Sequence, residues 1–262
     1  MKIKDITDAL EAFAPLGLQE EWDNAGYQVG NPDAEATGAL LCTDVTETVL
    51  AEAKERGFNL VVSHHPLMFH GVKKLLGRTP VERCIAFALR NDITVYSAHT
   101  NMDNARDGVS FRMAQKLNMT DVDFLDPHTL GNGVTGGCGV IGNISPTPAA
   151  DFLRQVKQAF EVGAVRAAGD LSHVTISRVA LCGGAGAFLI GKAMAAGAQA
   201  YISADMRYHD FLENADRLII ADIGHYESEH YTKEIFLELI QKKYPNFATA
   251  FAKRETNQIN YL

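Results

Sequence analysis

Apolar and polar positions along the chain fall into a few recurring patterns. In the opening stretch Ile3, Ile6, Leu10 and Phe13 recur at helical spacing among charged residues, which predicts an amphipathic helix. Two later stretches run in step: GALLCTDVTETVLAEAKERGFNLVVSHHP from Gly38, and RVALCGGAGAFLIGKAMAAGAQAYISADM from Arg178. Each has a short apolar run, an amphipathic stretch stopped by glycine and a second apolar run, the order of strand, helix and strand. Cys42, Gly57 and Ser63 are separated by 15 and 6 residues, and so are Cys182, Gly197 and Ser203. A parallel βαβ unit therefore occurs twice, 140 residues apart, as a diverged internal repeat.

A third apolar run follows each copy, ending before His99 in the first and before Gly224 in the second. In the first copy, Val81, Cys84, Ile85, Ala88 and Leu89 share one face of a helix that starts at Pro80. Gly133 to Ile144 reads as a glycine-punctuated strand, and a helix follows from Pro148, capped by Thr147. A last helix spans Tyr231 to Lys243 and stops at Pro245. The expectation is two related α/β domains with mostly parallel, buried sheets, residues 1–125 and 126–262. The C-terminal helix with the HxxxE pattern is expected to pack back on the first domain.

Composition narrows the function classes. The 262 residues are 47% hydrophobic and 21% charged, which excludes a disordered or fibrous chain. A formal charge of −8 makes nucleic acid an unexpected partner. Cys42, Cys84, Cys138 and Cys182 form no Cys-x-x-Cys pair, which argues against a disulfide framework and a thiolate zinc site. No run reaches the ~18 apolar residues of a membrane span, and no export signal is visible, so a cytoplasmic location is expected.

Three segments concentrate histidine and carboxylate, each just past an apolar strand, where α/β sheets bind ligands. His64 and His65 follow the strand LVVS; His99 and Asp103 follow VYSA; His225 and Glu229, four apart on one helix face, follow Gly224. Taken singly, each also suits a core histidine, a turn or a helix cap. Together they point to a cation, because a buried cluster of imidazoles and carboxylates is costly without one. Donors of this type without cysteine suit Zn, Fe, Mn, Co or Ni. Five candidate ligands exceed one tetrahedral zinc, so the economical arrangement is two metal ions about 3.5–4 Å apart, bridged by a carboxylate and a hydroxide. Glu227 and His230 fall off the HxxxE face, with solvation and helix-end charge as expected roles.

SHHPLMF (Ser63 to Phe69), HTNMD (His99 to Asp103), GHYESE (Gly224 to Glu229) and WDNAGYQVG (Trp22 to Gly30) resemble the ordered signature of the Ngg-interacting-factor-like dinuclear metal proteins. Many members carry the label type-two GTP cyclohydrolase I homologue, and the similarity covers essentially the whole chain. The resemblance implies two interlocked α/β domains, a two-metal site in the cleft between them, and a homohexamer built as a trimer of dimers. By motif match, His64 and His225 serve one metal, His65 and Asp103 the other, and Glu229 bridges both. His99 stands behind them, orienting Asp103 or a bound water.

Further candidates concern a small-molecule substrate, with a nucleotide in view. Asp205 aligns with His65 in the repeat, so Asp205 and His209 are expected to form a substrate-facing wall whose alanine variants keep their metal. The Gly183–Gly184 turn opens a helix and either receives a phosphate on its amides or lets helix and sheet pack closely. Trp22 is either a substrate contact or a staple of the first helix. Lys73, Lys74 and Arg78 are candidates to face a triphosphate. The expected activity is metal-assisted hydrolysis by the metal-bound hydroxide, with no side-chain nucleophile; taken literally, the family label makes the substrate GTP, opened with release of formate. The alternatives are a non-catalytic metal carrier or insertion factor, and an oligomeric scaffold stabilised by its metals.

Overall fold

Short apolar runs build the centre of the first of two units into which the chain divides in the computed structural model, which describes residues 1–261. This unit comprises Met1–Ala105 and His230–Gln258. Strands β2 (Ala39–Cys42), β3 (Leu60–Ser63) and β4 (Thr94–Ser97) are buried at every residue, as parallel strands covered on both faces must be. They pair in parallel, β2 on β3 and β3 on β4. Strand β1 (Gly26–Val29) runs antiparallel along β4, and β11 (Thr249–Phe251) closes the other edge parallel to β2.

Helix α1 (Ile3–Phe13) turns Ile3, Ile6 and Leu10 inward and packs against α10 (Thr232–Lys243). Helices α2 (Glu47–Glu55) and α3 (Pro80–Arg90) share a core with the sheet that includes Leu40, Leu50, Val61, Ile85 and Val95. Thr46 and Thr79 cap them by accepting the amides of Val49 and Glu82. The single-turn helix α4 (Thr100–Asp103) follows β4 directly and is pinned by side chains: Asn101 Nδ2 donates to the Ala14 carbonyl and Asn104 Nδ2 to that of Leu18.

The second unit comprises Arg106–Glu229 and the end of the chain from Ile259. Helix α5 (Val109–Lys116) leads into a hairpin of β5 (Thr120–Thr129) and β6 (Thr135–Pro148), after which come α6 (Ala149–Ala159) and β7 (Arg166–Ala168). Strand β8 (Thr175–Ala185), helix α7 (Ile190–Ala195), strand β9 (Ala200–Ala204), helix α8 (Tyr208–Leu212) and strand β10 (Ile219–Asp222) alternate up to helix α9 (His225–Glu229). The sheet order is β5-β6-β8-β9-β10-β7. Both units are thus mixed α/β, and no helix among the described residues is long and apolar enough to cross a membrane.

Several expectations need correcting. The second sheet is not mostly parallel: only β8-β9 and β9-β10 are, while β5-β6, β6-β8 and β10-β7 are antiparallel. The reason is a long hairpin of β5 and β6, of which only the glycine-punctuated stretch from Gly133 to Ile144 was expected as a strand. The division falls at Ala105/Arg106 rather than near 125, because α5 packs on β6 and β8. The HxxxE helix α9 falls in the second unit, as expected, whereas α10, expected there too, belongs to the first. Thr147 does not cap α6; its hydroxyl donates to the Ser145 carbonyl instead. The repeat landmarks hold matching places: Cys42 and Cys182 lie in the leading strands, Gly57 and Gly197 both have positive φ after the helix, and Ser63 and Ser203 lie in the next strand.

Candidate metal centre

In the first unit β3 ends on Ser63 and the chain turns at His64-His65-Pro66. Backbone amides of His64 and His65 still donate to the Cys42 and Thr43 carbonyls, so the ladder continues past the strand. The hydroxyls of Ser63 and Ser97 both donate to the His65 carbonyl, at 2.8 and 3.2 Å, and fix the turn. His99, one residue past Ala98 at the end of β4, opens α4, its amide held by Asn101 Oδ1. The result is a triangle of imidazoles: ring centroids lie 5.0 Å apart for His64 and His65, 5.2 Å for His64 and His99, and 5.4 Å for His65 and His99. One ligand atom from each of the three lies within 4.8 Å of the others, a group that can hold a metal ion. Asp103, one turn along α4, places Oδ1 3.7 Å from His64 Nε2.

In the second unit α9 puts His225 and Glu229 on one face, as the spacing predicts, with His225 Nε2 2.9 Å from Glu229 Oε2. Glu229 is buried against the Gly183–Gly184 bend at the end of β8, where Gly184 has φ +62°. A Cβ on Gly184 would overlap Glu229 Oε1, so only glycine leaves room for this carboxylate. The amides of the bend are engaged, Gly183 N–H by Ser110 Oγ at 3.3 Å and Gly184 N–H by Ser228 Oγ at 2.9 Å. Close packing, the second of the two readings of this turn, is what these contacts do.

One feature is common to the four histidines. Each ring directs Nδ1 at an oxygen that can only accept: His64 at the Ala98 carbonyl (3.0 Å), His65 at Asp44 (2.8 Å), His99 at Asp23 (2.8 Å) and His225 at Asp205 (2.8 Å). In a neutral imidazole this places the proton on Nδ1 and leaves the lone pair on Nε2, the form in which histidine binds a metal. His225 Nε2 then faces a carboxylate oxygen of Glu229, and His64 Nε2 one of Asp103. Two electron-rich atoms facing each other are stabilised by a proton on the ring or by a metal ion, and this donor set of imidazole nitrogens and carboxylate oxygens fits a divalent metal.

Asp23 is a strongly perturbed carboxyl. Burial alone would raise its pKa, but hydrogen bonds from His99 and Thr100 outweigh that and bring it down to about 2. It therefore stays ionised behind His99.

Of the substrate-facing candidates, Asp205 serves His225 as described, and the residue has positive φ, 55°. His209 sits on exposed α8, edge-on to Tyr208 at 5.5 Å. Trp22 is 64% exposed, with its ring 5.9 Å from that of His99. Glu227 is not solvated as expected: it is buried, and it folds back on Gly224, where a Cβ would lie 2.8 Å from its Cδ. His230 lies tilted against its neighbour Tyr231, with ring centroids 3.8 Å apart. Asp44 and the role of Asp23 escaped the sequence reading, although Asp44 lies two residues past β2 and so carried the same strand-end signal as the histidines.

A family model described as Duf34/NIF3 (NGG1p interacting factor 3) matches residues 1–258. A Lactococcus lactis protein called GTP cyclohydrolase 1 type 2 homolog is 34% identical over 249 residues, 94% of this chain and 93% of the relative. One of the same name from Clostridium perfringens is 35% identical over 233 residues, 87% of each chain. Among solved structures, a Bacillus cereus protein related to NIF3 superposes with a TM-score of 0.93 at 23% identity, over 100% of this chain and 99% of its own. A Staphylococcus aureus protein gives 0.90 at 25% identity over the same shares.

Proposed function

Because the chain belongs to the Duf34/NIF3 (NGG1p interacting factor 3) family, we propose that it is a metal-dependent hydrolase whose two ligand sets together hold two divalent ions. The observation that supports this is that His64, His65 and His225 each direct Nδ1 at an acceptor oxygen, which leaves Nε2 to bind, while His99 directs Nδ1 at Asp23, which leaves its Nε2 to accept a proton. In this reading His64, His65, Asp103, His225 and Glu229 would hold the ions. Divalent ions so held supply Lewis acidity and lower the pKa of a coordinated water.

The chain's own residues do the rest. Asp44, Asp205 and the Ala98 carbonyl keep the ligand imidazoles in the binding tautomer and orientation. His99 Nε2 takes up a proton from the attacking water, and the ionised Asp23 on its other nitrogen stabilises the imidazolium that forms. Ser228 and Gly184 hold the backbone against which the Glu229 carboxylate rests. The curated relatives are called GTP cyclohydrolase 1 type 2 homologs, and we take GTP as the first substrate to test, opened hydrolytically at its imidazole ring with release of formate.

The test is a metal-reconstituted sample offered GTP, other nucleotides and phosphodiesters. Release of formate or phosphate that disappears in His65→Ala and Glu229→Ala supports hydrolysis. Bound metal with no turnover on any of them contradicts it and favours a carrier.

A further inference from the structure

Two exposed aromatic rings flank the imidazole triangle of the first unit. Trp22 and Phe69, 64% and 45% exposed, both stand edge-on to His99, with centroids at 5.9 and 5.6 Å. Their backbones are pinned nonetheless. Asp23, next to Trp22, accepts from the amide and hydroxyl of Thr100. Met68, next to Phe69, donates its amide to Gln28 Oε1 at 3.1 Å, and its carbonyl accepts from Asn24 Nδ2 at 2.7 Å. Large rings left in water on a fixed frame beside a candidate reaction centre are preorganised to receive an apolar face.

Phe69 also walls a cavity of about 510 Å³ with Val72 and Val81, and His70, Lys73 and Lys74 line the same cavity. Lys73 and Lys74 are exposed and form no ion pair among the described residues, in a chain of net charge −8. The one carboxylate of the lining, Glu82, is engaged by the amides of Leu76 and Arg78. Local positive charge beside aromatic faces is complementary to an anion that carries a planar ring.

We propose that Trp22 and Phe69 receive the planar heteroaromatic ring of a phosphate-bearing small molecule, and that Lys73 and Lys74 face its phosphates. The inference rests on the hydrolase reading only in taking this molecule to be the substrate. Binding and turnover are separable, and the chain offers a direct probe because Trp22 is its only tryptophan.

Metal-loaded full-length protein is titrated with GTP, ATP, CTP, guanosine and inorganic triphosphate while tryptophan emission is recorded. At least one nucleotide and its nucleoside should quench Trp22, and inorganic triphosphate should not. Phe69→Leu should weaken the nucleotide about tenfold, the effect of losing one stacking partner. The Lys73→Ala/Lys74→Ala double variant should bring nucleotide affinity down to that of the nucleoside, with the quench at saturation unchanged. Trp22→Leu, followed by calorimetry, should weaken binding as Phe69→Leu does; both residues are exposed, so folding is spared. Three results overturn the proposal: no quench by any of the nucleotides, equal affinity for inorganic triphosphate, or emission that shifts with protein concentration alone, which would assign the rings to contact between copies. Turnover without quenching would defeat this inference and leave the hydrolase intact; quenching without turnover would do the reverse.

Discussion

Replacement of Gly184 by alanine is the most demanding perturbation of the metal centre, because it acts on a proposed ligand without replacing one. Gly184 has φ +62°, where an L side chain costs about 1–2 kcal/mol. The added Cβ would overlap Glu229 Oε1 and lie 3.1 Å from its Cδ and 3.4 Å from His225 Cε1. An ordinary C···O contact is about 3.3 Å, so the carboxylate must retreat by roughly 1 Å. A ligand displaced that far is expected to lose affinity about 100-fold, or roughly 2.8 kcal/mol. Competition against a chromogenic chelator measures this directly, and melting of the metal-free protein reads the backbone strain separately, as a fall of about 2–8 °C. Gly183→Ala is the control: its Cβ meets Val109 Cγ1 at 3.0 Å and Glu229 Cγ only at 3.6 Å, so metal affinity should change little. If both substitutions act through Glu229, Gly184→Ala adds nothing to the loss seen in Glu229→Gln. Wild-type metal affinity in Gly184→Ala would refute the reasoning, whatever the melting temperature does.

Other substitutions test the supporting contacts. Asp44→Ala and Asp205→Ala should each weaken metal binding about 10–100-fold by releasing the Nδ1 partner of His65 or His225, and the asparagine variants, which keep an acceptor oxygen, should recover most of it; alanine variants with full affinity would return Asp205 to the substrate side. Glu229→Gln should lower metal content, whereas Glu227→Gln should leave it intact but destabilise the protein by about 1–3 kcal/mol, because Glu227 is buried against Gly224 and Tyr261; equal metal loss in both would mean that the helix face is misassigned. The Asp23 carboxyl is depressed from 3.8 to about 2, so its contribution is complete above pH 4 and fades as pH falls toward 2. Discounted for partial solvent contact, it should amount to about 1–2 kcal/mol. The melting gap between the wild type and Asp23→Asn should therefore close across that window, and a gap constant with pH would contradict this.

The apolar runs at β2, β3 and β4 were legible because strands buried on both faces leave no polar alternation to interpret. The i,i+4 pairing of His225 and Glu229 was equally legible, being fixed by helix geometry alone. What the sequence hid depends on contacts between distant residues. The antiparallel hairpin was only half visible: the glycine-punctuated stretch of β6 read as one strand, while β5, with Asp121, Asp123, Asp126 and Pro127 along it, did not. Asp44 and Asp23 lie 21 and 76 residues from the histidines they serve, and no local pattern marks such a partnership. The Gly183–Gly184 bend was open to two readings, phosphate cradle or close packing, because the partners of its amides, Ser110 and Ser228, lie far away in sequence. The boundary near 125 failed for a similar reason: α5 follows the first unit in sequence but buries its apolar face on β6 and β8.

Metal stoichiometry tests the central claim most directly. Protein purified from its own host without chelators, or reconstituted with a divalent ion, should carry about two metal equivalents per chain by elemental analysis, falling sharply in His65→Ala and Glu229→Ala. A chain that remains metal-free after reconstitution, or variants that retain the full complement, would contradict it.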